Sequence, residues 1–409
     1  MKIDQAIQGI LFIVKSLISL FYCYALLIFK GTSPVRSNPQ NKKIDLKSLR
    51  RVVVIRLDKI GDVVMTTPFL RELRRNLPEA HITLLVNSMV YELMKHCPYV
   101  NEVVDFGTLE QGALSLIKSP IKSFMLSRHL RKSHYDLAIV PRWDTDFHQA
   151  VFTAYLSGAT WRVGYSERVI AHKAWNNKGC DRLLTHRIYD SSLKHEVERG
   201  LGMITYLGGN VENNKLELWS QPEDELSVDK ILEGLGDKNC VVFAICPGAA
   251  VRKREWPVAN YIELGKRLMH SYRCKIGIIG GKKDLALGKG LKRQLGNQAI
   301  NLMNAMTLRQ TYTFLKRSQL YIGSDTGPMH LAAAANIPVL GIFCHPKSGT
   351  VFSDNAPERV GPWTERTAVL QPTLPLLPCT LQCNAAFSHC ITQITVTQVQ
   401  DSVRQLLAR

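Results

Sequence analysis

At 409 residues the chain is too long for one ordinary core, so two domains are expected. Its 45% hydrophobic and 21% charged residues are those of a globular protein. Lys+Arg 52 against Asp+Glu 34 gives a formal net charge of +18, which calls for an anionic partner. That charge is spread along the chain with no aromatic-basic module, which excludes nucleic acid as the partner.

The first predicted element is "GILFIVKSLISLFYCYALLIF", Gly9 to Phe29, about as long as a membrane-spanning helix. Lys15 interrupts it, and no small-residue cleavage site follows, so a removable signal peptide fits poorly. Lys30, Arg36, Lys42, Lys43, Lys47, Arg50 and Arg51 follow it, which keeps the body of the chain on the cytoplasmic side. Spanning and lying in the interface both remain open, because Lys15 can snorkel in either geometry. A polar linker follows, and residues 1–38 form a membrane-associating segment.

From Arg51 onward strands and helices alternate. "RVVVIRL", a glycine loop, an amphipathic helix and "HITLLV" make a βαβ unit, whose right-handed crossover implies a parallel sheet. "NEVVDF" and "YDLAIVP" predict further strands, and the stretch from Ser157 to Asn214 reads as polar and irregular. A second series begins with "NCVVFAICPGA" and continues through "CKIGIIGG", "AINLM", "LYIGSD" and "PVLGIF", with helices between. The expected fold is therefore α/β, two facing Rossmann-like doubly wound domains with a boundary near Gln221 to Asp224. Ligands in such sheets bind at the carboxyl ends of strands, which singles out the loops after Leu57, Cys246, Gly280 and Gly323.

In "LDKIGDVVMTTP", Gly61 allows close backbone approach and Asp62 stands at a helix start, as an N-cap or as a base. "CPGAAVRKREWP" places Arg252, Lys253 and Arg254 before a helix, where a phosphate gains from side chains and helix dipole together. "IIGGKKD" lacks the Gly-x-Gly-x-x-Gly spacing, which disfavours NAD or FAD; its Asp284 either meets a ribose or caps a helix. In "GSDTGPMH", Gly323 and Gly327 permit tight turning, Ser324 and Thr326 add hydroxyls, and the helix after Pro328 presents free N–H groups. Together these make a diphosphate cradle. Asp325 would repel a phosphate, so a neutral neighbour such as a sugar hydroxyl is expected for it. His330 is either a core histidine or a support of the cradle. Near the end, Cys379, Cys383 and Cys390 with His389 lack the paired short spacings of common zinc modules, so reduced buried thiols are expected rather than a metal site.

The pieces "IRLDKIGDVVMTTPFLREL", "RVGY", "CPGAAVRKREWP", "IIGGKKD", "AMTLRQ", "YIGSDTGPMHLAAA", the terminal cysteines and "VTQVQDSVRQLL", taken in order, resemble glycosyltransferase family 9, the heptosyltransferases of lipopolysaccharide core assembly. The resemblance covers most of the chain from Arg51 to the end and leaves the N-terminal hydrophobic stretch outside. It implies a GT-B fold: an acceptor domain over 48–220, a donor domain over 221–388, and a last helix, within 389–409, that crosses back onto the first domain. It implies metal-independent, cofactor-free, inverting transfer from a nucleotide-diphosphate sugar, typically ADP-heptose, to a lipid-linked oligosaccharide at the anionic inner-membrane surface. Asp62 falls on the family's proposed general base. Arg254, with Lys253 adjacent, falls near its phosphate-binding cation, and Met306 near its adenine-contacting segment. Asp325, Thr326, Gly327 and His330 fall on its donor motif, whereas Ala249 and Ala250 replace hydroxyl residues of some members. A transferase of another donor specificity would share these loops, and a non-catalytic nucleotide-binding membrane scaffold would have no need of Asp62.

Overall fold

The computed structural model describes residues 43–108, 125–126, 129–234 and 242–408. The expected membrane segment, Gly9 to Phe29, lies outside them. Two six-stranded sheets are built entirely from parallel pairs. The first contains β1 (Arg51–Arg56), β2 (His81–Val86), β3 (Glu102–Asp105), β4 (Leu137–Val140), β5 (Trp161–Tyr165) and β6 (His186–Ile188), in spatial order β3-β2-β1-β4-β5-β6. The second contains β7 (Val242–Cys246), β8 (Lys275–Ile278), β9 (Ala299–Asn301), β10 (Leu320–Ser324), β11 (Val339–Ile342) and β12 (Thr367–Leu370), in order β12-β11-β10-β7-β8-β9. Each is doubly wound. The strand order reverses between β1 and β4 in one sheet and between β7 and β10 in the other.

Helices cover both faces of each sheet, which is why central strands are continuous apolar runs rather than alternating ones. In β1, Val52 and Val54 face one core and Val53 and Ile55 another, all four without solvent exposure. Burying each such side chain contributes about 1.5–3 kcal/mol against leaving it in water. The layer under Val52 and Val54 continues beneath the second sheet through Val242, Ala244 and Tyr321, so one apolar layer joins the two halves.

Two expectations need correction. The stretch from Ser157 to Asn214, read as irregular, holds β5, β6 and the helix Glu196–Tyr206. These strands span only five and three residues, too short for a periodic pattern to stand out. The last helix, Val396–Ala408, packs on the second sheet and not back on the first domain. Its stripe of Val396, Val399, Val403 and Leu406 joins the core of Phe243, Trp256, Leu264 and Leu268, and Gln400 accepts from Arg267 at 3.1 Å. Those four positions recur at three- and four-residue spacing, so the helix has one apolar stripe, and the second sheet's helices cover it.

Candidate active site

The two points of strand reversal face each other, and each carries charged side chains. At the first, β1 runs out through Leu57 into the short helix Ile60–Val64, and β4 runs out through Pro141 to Arg142. Arg142 Nη1 lies 3.2 Å from Asp58 Oδ1 and 3.2 Å from Asp62 Oδ1. Arg56, the last residue of β1 and only 2% exposed, reaches Asp58 at 3.3 Å and Asp62 at 3.5 Å. It is anchored by donating to the Pro141 carbonyl at 2.8 Å. Two carboxylates and two guanidiniums thus close a neutral quartet. Burial alone would raise the Asp62 pKa, but Arg142, Arg56, His330 and Lys59 together hold it below the ordinary carboxylate value. Asp62 does not cap its helix, whose N-cap is Lys59 with no side-chain bond. The loop carrying Arg142 is fixed from below by Lys173, whose ammonium donates to the carbonyls of Arg142, Trp143 and Tyr165 at 3.2, 2.8 and 3.0 Å. Burial brings that lysine down to about 8.

At the second reversal, β10 ends in fully buried Ser324 and the chain passes through Asp325 and Thr326 into the helix Gly327–Ala334. No side chain caps that helix; Pro328 has no N–H and Met329 N–H donates to the Thr326 carbonyl at 3.1 Å, so an anion there would meet the N–H of Gly327. Asp325 is not beside a neutral group as expected. Arg254 Nη1 donates to its Oδ2 at 2.7 Å, because a carboxylate this buried requires a partner. Burial still dominates, and with Asp354 and Asp62 nearby it pushes the Asp325 pKa up to about 6 in spite of Arg254.

Of the two adjacent cations, only Arg254 enters this site; Lys253 turns the other way and donates to the Cys383 carbonyl at 2.6 Å. Asp284 does not cap the helix Leu285–Leu295 with its side chain. Its carboxylate lies over Gly248, where a methyl group would come within 2.5 Å of it, so it borders the loop after β7. Met306 is half-buried against the core just before the helix Leu308–Lys316, whose N-cap Thr307 and Gln310 form a capping box.

The two clusters meet through His330 and Gly61. His330 is 3% exposed, and its imidazole sits so close to Gly61 that a methyl there would lie 2.5 Å from Cδ2. Gly327 makes the reciprocal approach, with room for no Cβ beside Ile60. Burial lowers the His330 pKa to about 4, so the ring is neutral at physiological pH. The structure therefore brings Asp62, Arg254, Asp325, Thr326, Gly327 and His330 to one seam, with Ser324 buried beneath.

Sequence reasoning missed Arg56, Asp58 and Arg142, the partners of Asp62. It also missed a second tie across the halves, in which Arg359 donates to Asp144 and Glu196 at 2.9 Å each while its guanidinium lies 4.7 Å from the Trp143 ring. The signal for Arg142 was present: the strand-reversal rule, applied to the first sheet, points to the loop after "YDLAIVP". The terminal cysteines, expected as reduced buried thiols, are buried and unbridged, and they lie together. Set aside for their spacing, Cys379, Cys383 and Cys390 converge with His389, all four ligand atoms within 4.8 Å of one another.

Comparison with known proteins bears on this geometry. The model of glycosyltransferase family 9 (heptosyltransferase) matches residues 123–385. The lipopolysaccharide core heptosyltransferase OpsX of Haemophilus influenzae is 19% identical over 72% of this chain and 79% of that protein. Lipopolysaccharide heptosyltransferase 2 of Escherichia coli is 23% identical over 72% and 82%. Among solved structures, a family 9 glycosyltransferase from Veillonella parvula superposes with a TM-score of 0.72 at 19% identity, over 90% of this chain and 98% of that one. The E. coli ADP-heptose lipopolysaccharide heptosyltransferase II follows at 0.65 and 20% identity, over 88% and 98%. The two doubly wound sheets are those of a GT-B enzyme, and the chain belongs to glycosyltransferase family 9, the heptosyltransferases.

Proposed function

We propose that this enzyme transfers a heptose, with inversion and without a catalytic metal, from ADP-heptose to a lipopolysaccharide core acceptor. The observation that carries the reading is the placement of Asp62 across the His330–Gly61 seam from Arg254, Asp325 and the uncapped helix at Thr326. Residues 221–388 hold the donor and residues 48–220 the acceptor. On donor binding Arg254 turns from Asp325 to the diphosphate, which also meets the Thr326 hydroxyl and the N–H of Gly327. These preorganised donors stabilise the charge that develops as the nucleoside diphosphate leaves. Asp325 is then free for sugar hydroxyls, Met306 borders the base, and Asp284 reaches the ribose. Asp62, kept ionised by Arg56 and Arg142, takes the proton of the attacking acceptor hydroxyl. The leaving group shields one face of the sugar, so attack comes from the other and the anomeric configuration inverts.

A phosphorylated glycolipid acceptor suits the net charge of +18 and a site of action at the cytoplasmic face of the inner membrane. Gly9 to Phe29 is the segment that would hold the enzyme there, either across or in the membrane interface. Deleting Met1 to Asn38 should release the protein from membranes and spare transfer to a delipidated acceptor.

The deciding experiment is Asp62→Asn, assayed with ADP-heptose and the product configuration read by NMR. Transfer should fall roughly 10²–10⁴-fold, with donor affinity nearly unchanged. Wild-type turnover in this variant would remove Asp62 from the chemistry. Preference for another nucleotide sugar would overturn the donor assignment.

A further inference from the structure

Residues 371–389 run for nineteen positions without a helix or a strand, an unusual length inside a compact domain. The large apolar side chains of this segment do not pin it: Leu374, Leu377, Leu381 and Phe387 are 61%, 86%, 62% and 62% exposed. Instead the cysteines point inward. Cys383 and Cys390 have no exposed surface and Cys379 only 4%. A segment that turns its leucines out and its thiols in joins the second sheet's core through sulfur.

The geometry of the sulfurs is specific. His389 Nδ1 lies 3.6 Å from Cys379 Sγ and 3.5 Å from Cys390 Sγ, and Cys383 Sγ completes a set within 4.8 Å. Zn–S bonds of about 2.3 Å and Zn–N bonds of about 2.0–2.1 Å at tetrahedral angles give S···N edges of about 3.6 Å. The surroundings are those of ligating sulfur as well. The backbone N–H of Asn384 donates to Cys379 Sγ at 3.4 Å, a contact that orients and stabilises a thiolate. The Lys253 ammonium on the Cys383 carbonyl brings a positive charge to the rim, where three thiolates and a divalent ion would leave one negative charge.

We propose that Cys379, Cys383, His389 and Cys390 form a closed, four-coordinate structural zinc site that knots this segment against the donor-side loops. Binding deprotonates the three thiols, which ligate as thiolates while three protons pass to solvent, and changes no oxidation state. With four protein ligands and no open position, the ion takes no part in transfer. Its mechanical reach is visible in the contacts of the knot. Ser388 Oγ donates to the Glu255 carbonyl at 2.7 Å, and Lys253 is held by Cys383, so the knot fixes both sides of Arg254. On the other flank Thr350 N–H donates to the Leu381 carbonyl at 2.8 Å and Ser353 Oγ to Gln382 at 3.1 Å, tying in the loop that leads to Arg359.

The test is elemental analysis of the full-length protein purified without chelator, which does not depend on what the donor sugar is. One zinc per chain is expected in wild type. It should be lost in Cys383→Ser and in the milder, half-buried His389→Gln, and kept in Cys180→Ser, outside the knot. On the folded wild type, titration with a mercurial reagent should release one zinc as three thiols react. Cobalt exchanged into the site should show thiolate-to-metal charge-transfer absorption. Metal-free wild-type protein, iron in place of zinc, zinc retained in both ligand variants, or a disulfide among Cys379, Cys383 and Cys390 would each overturn the proposal.

Discussion

The two strand reversals share a topology and differ in charge logic. The first sets two guanidiniums against two carboxylates, Arg56 and Arg142 against Asp58 and Asp62, so Asp62 is held ionised and the charges match in number. The second sets one guanidinium, Arg254, against two carboxylates, the deeply buried Asp325 at 2.7 Å and the exposed Asp354 at 3.8 Å, beside a helix N-terminus that no side chain caps. One is complete without a ligand; the other has donor capacity to spare. The same doubly wound crevice can therefore hold an ionised carboxylate on one side and a guanidinium beside an uncapped helix end on the other. What separates them is how many guanidiniums meet the carboxylates, two at the first and one at the second.

That contrast breaks most severely at Arg142. Arg142→Met leaves Asp58 and Asp62 sharing Arg56 alone, and stranding a buried charge costs about 3–5 kcal/mol. Denaturant unfolding should show a loss of that size. The Asp62 pKa, no longer depressed by its strongest cation, should rise and move the acid limb of the pH–rate profile toward neutral. An unchanged acid limb would mean that Asp62 does not rely on the quartet.

Second in size is a pair of opposed pH effects at the seam. Asp325 is raised from 3.8 to about 6, so its proton is bound more tightly in the folded state. Its contribution to stability is whole below pH 3.8 and is lost as pH rises through 6. His330 is lowered from 6.5 to about 4; its contribution is whole above pH 6.5 and is lost as pH falls through 4. Each shift of two or so units amounts to about 3 kcal/mol, and between pH 4 and 6 the two slopes oppose. Relative to wild type, Asp325→Asn should gain stability as pH rises across that window, and His330→Gln should lose it. Urea midpoints at pH 4.5 and 6 read this directly. Differences that do not change with pH would show that the groups titrate alike in the folded and unfolded chains.

Much of this was legible in the sequence, for identifiable reasons. "VVVIRL" and "LYIGSD" are long enough, and apolar enough, to announce central parallel strands, and the Gly-Ser-Asp-Thr-Gly-Pro turn carries its chemistry within six residues. Asp62 and Arg254 followed from the rule about strand ends. What stayed hidden was pairing. Arg142 stands 80 positions from Asp62 and Arg254 71 from Asp325, and local patterns carry no trace of contacts across such separations. The convergence of Cys379, Cys383, His389 and Cys390 was hidden for the same kind of reason: spacing in the chain is a weak guide when an irregular segment sets the geometry.

Smaller in effect is the steric contact that joins the clusters. Gly61→Ala gains some helix propensity in Ile60–Val64 but places a methyl 2.5 Å from the His330 ring. Overpacking of this kind costs about 1–3 kcal/mol. The expected result is a less stable protein with slower transfer, because Asp62 and the donor loops are spread apart. His330→Ala added to Gly61→Ala should restore part of the stability, and strict additivity in this cycle would show that the two residues are not in contact in solution.

The smallest expected effect separates neighbours. Lys253 and Arg254 are adjacent in sequence and equal in charge, yet one donates to Cys383 and the other to Asp325. Lys253→Met removes one donor to the Cys383 carbonyl, a loss of about 0.5–1.5 kcal/mol in stability. ADP affinity should change little, since the ammonium points away from the cradle. Arg254→Met removes the group that would meet the diphosphate, and should weaken ADP binding by about 1.5–3 kcal/mol, or roughly 10–150-fold. Calorimetric titration of both variants with ADP makes the comparison. If Lys253→Met loses as much affinity as Arg254→Met, the lysine leaves Cys383 when ligand arrives, and the second cluster holds two anion-binding cations rather than one.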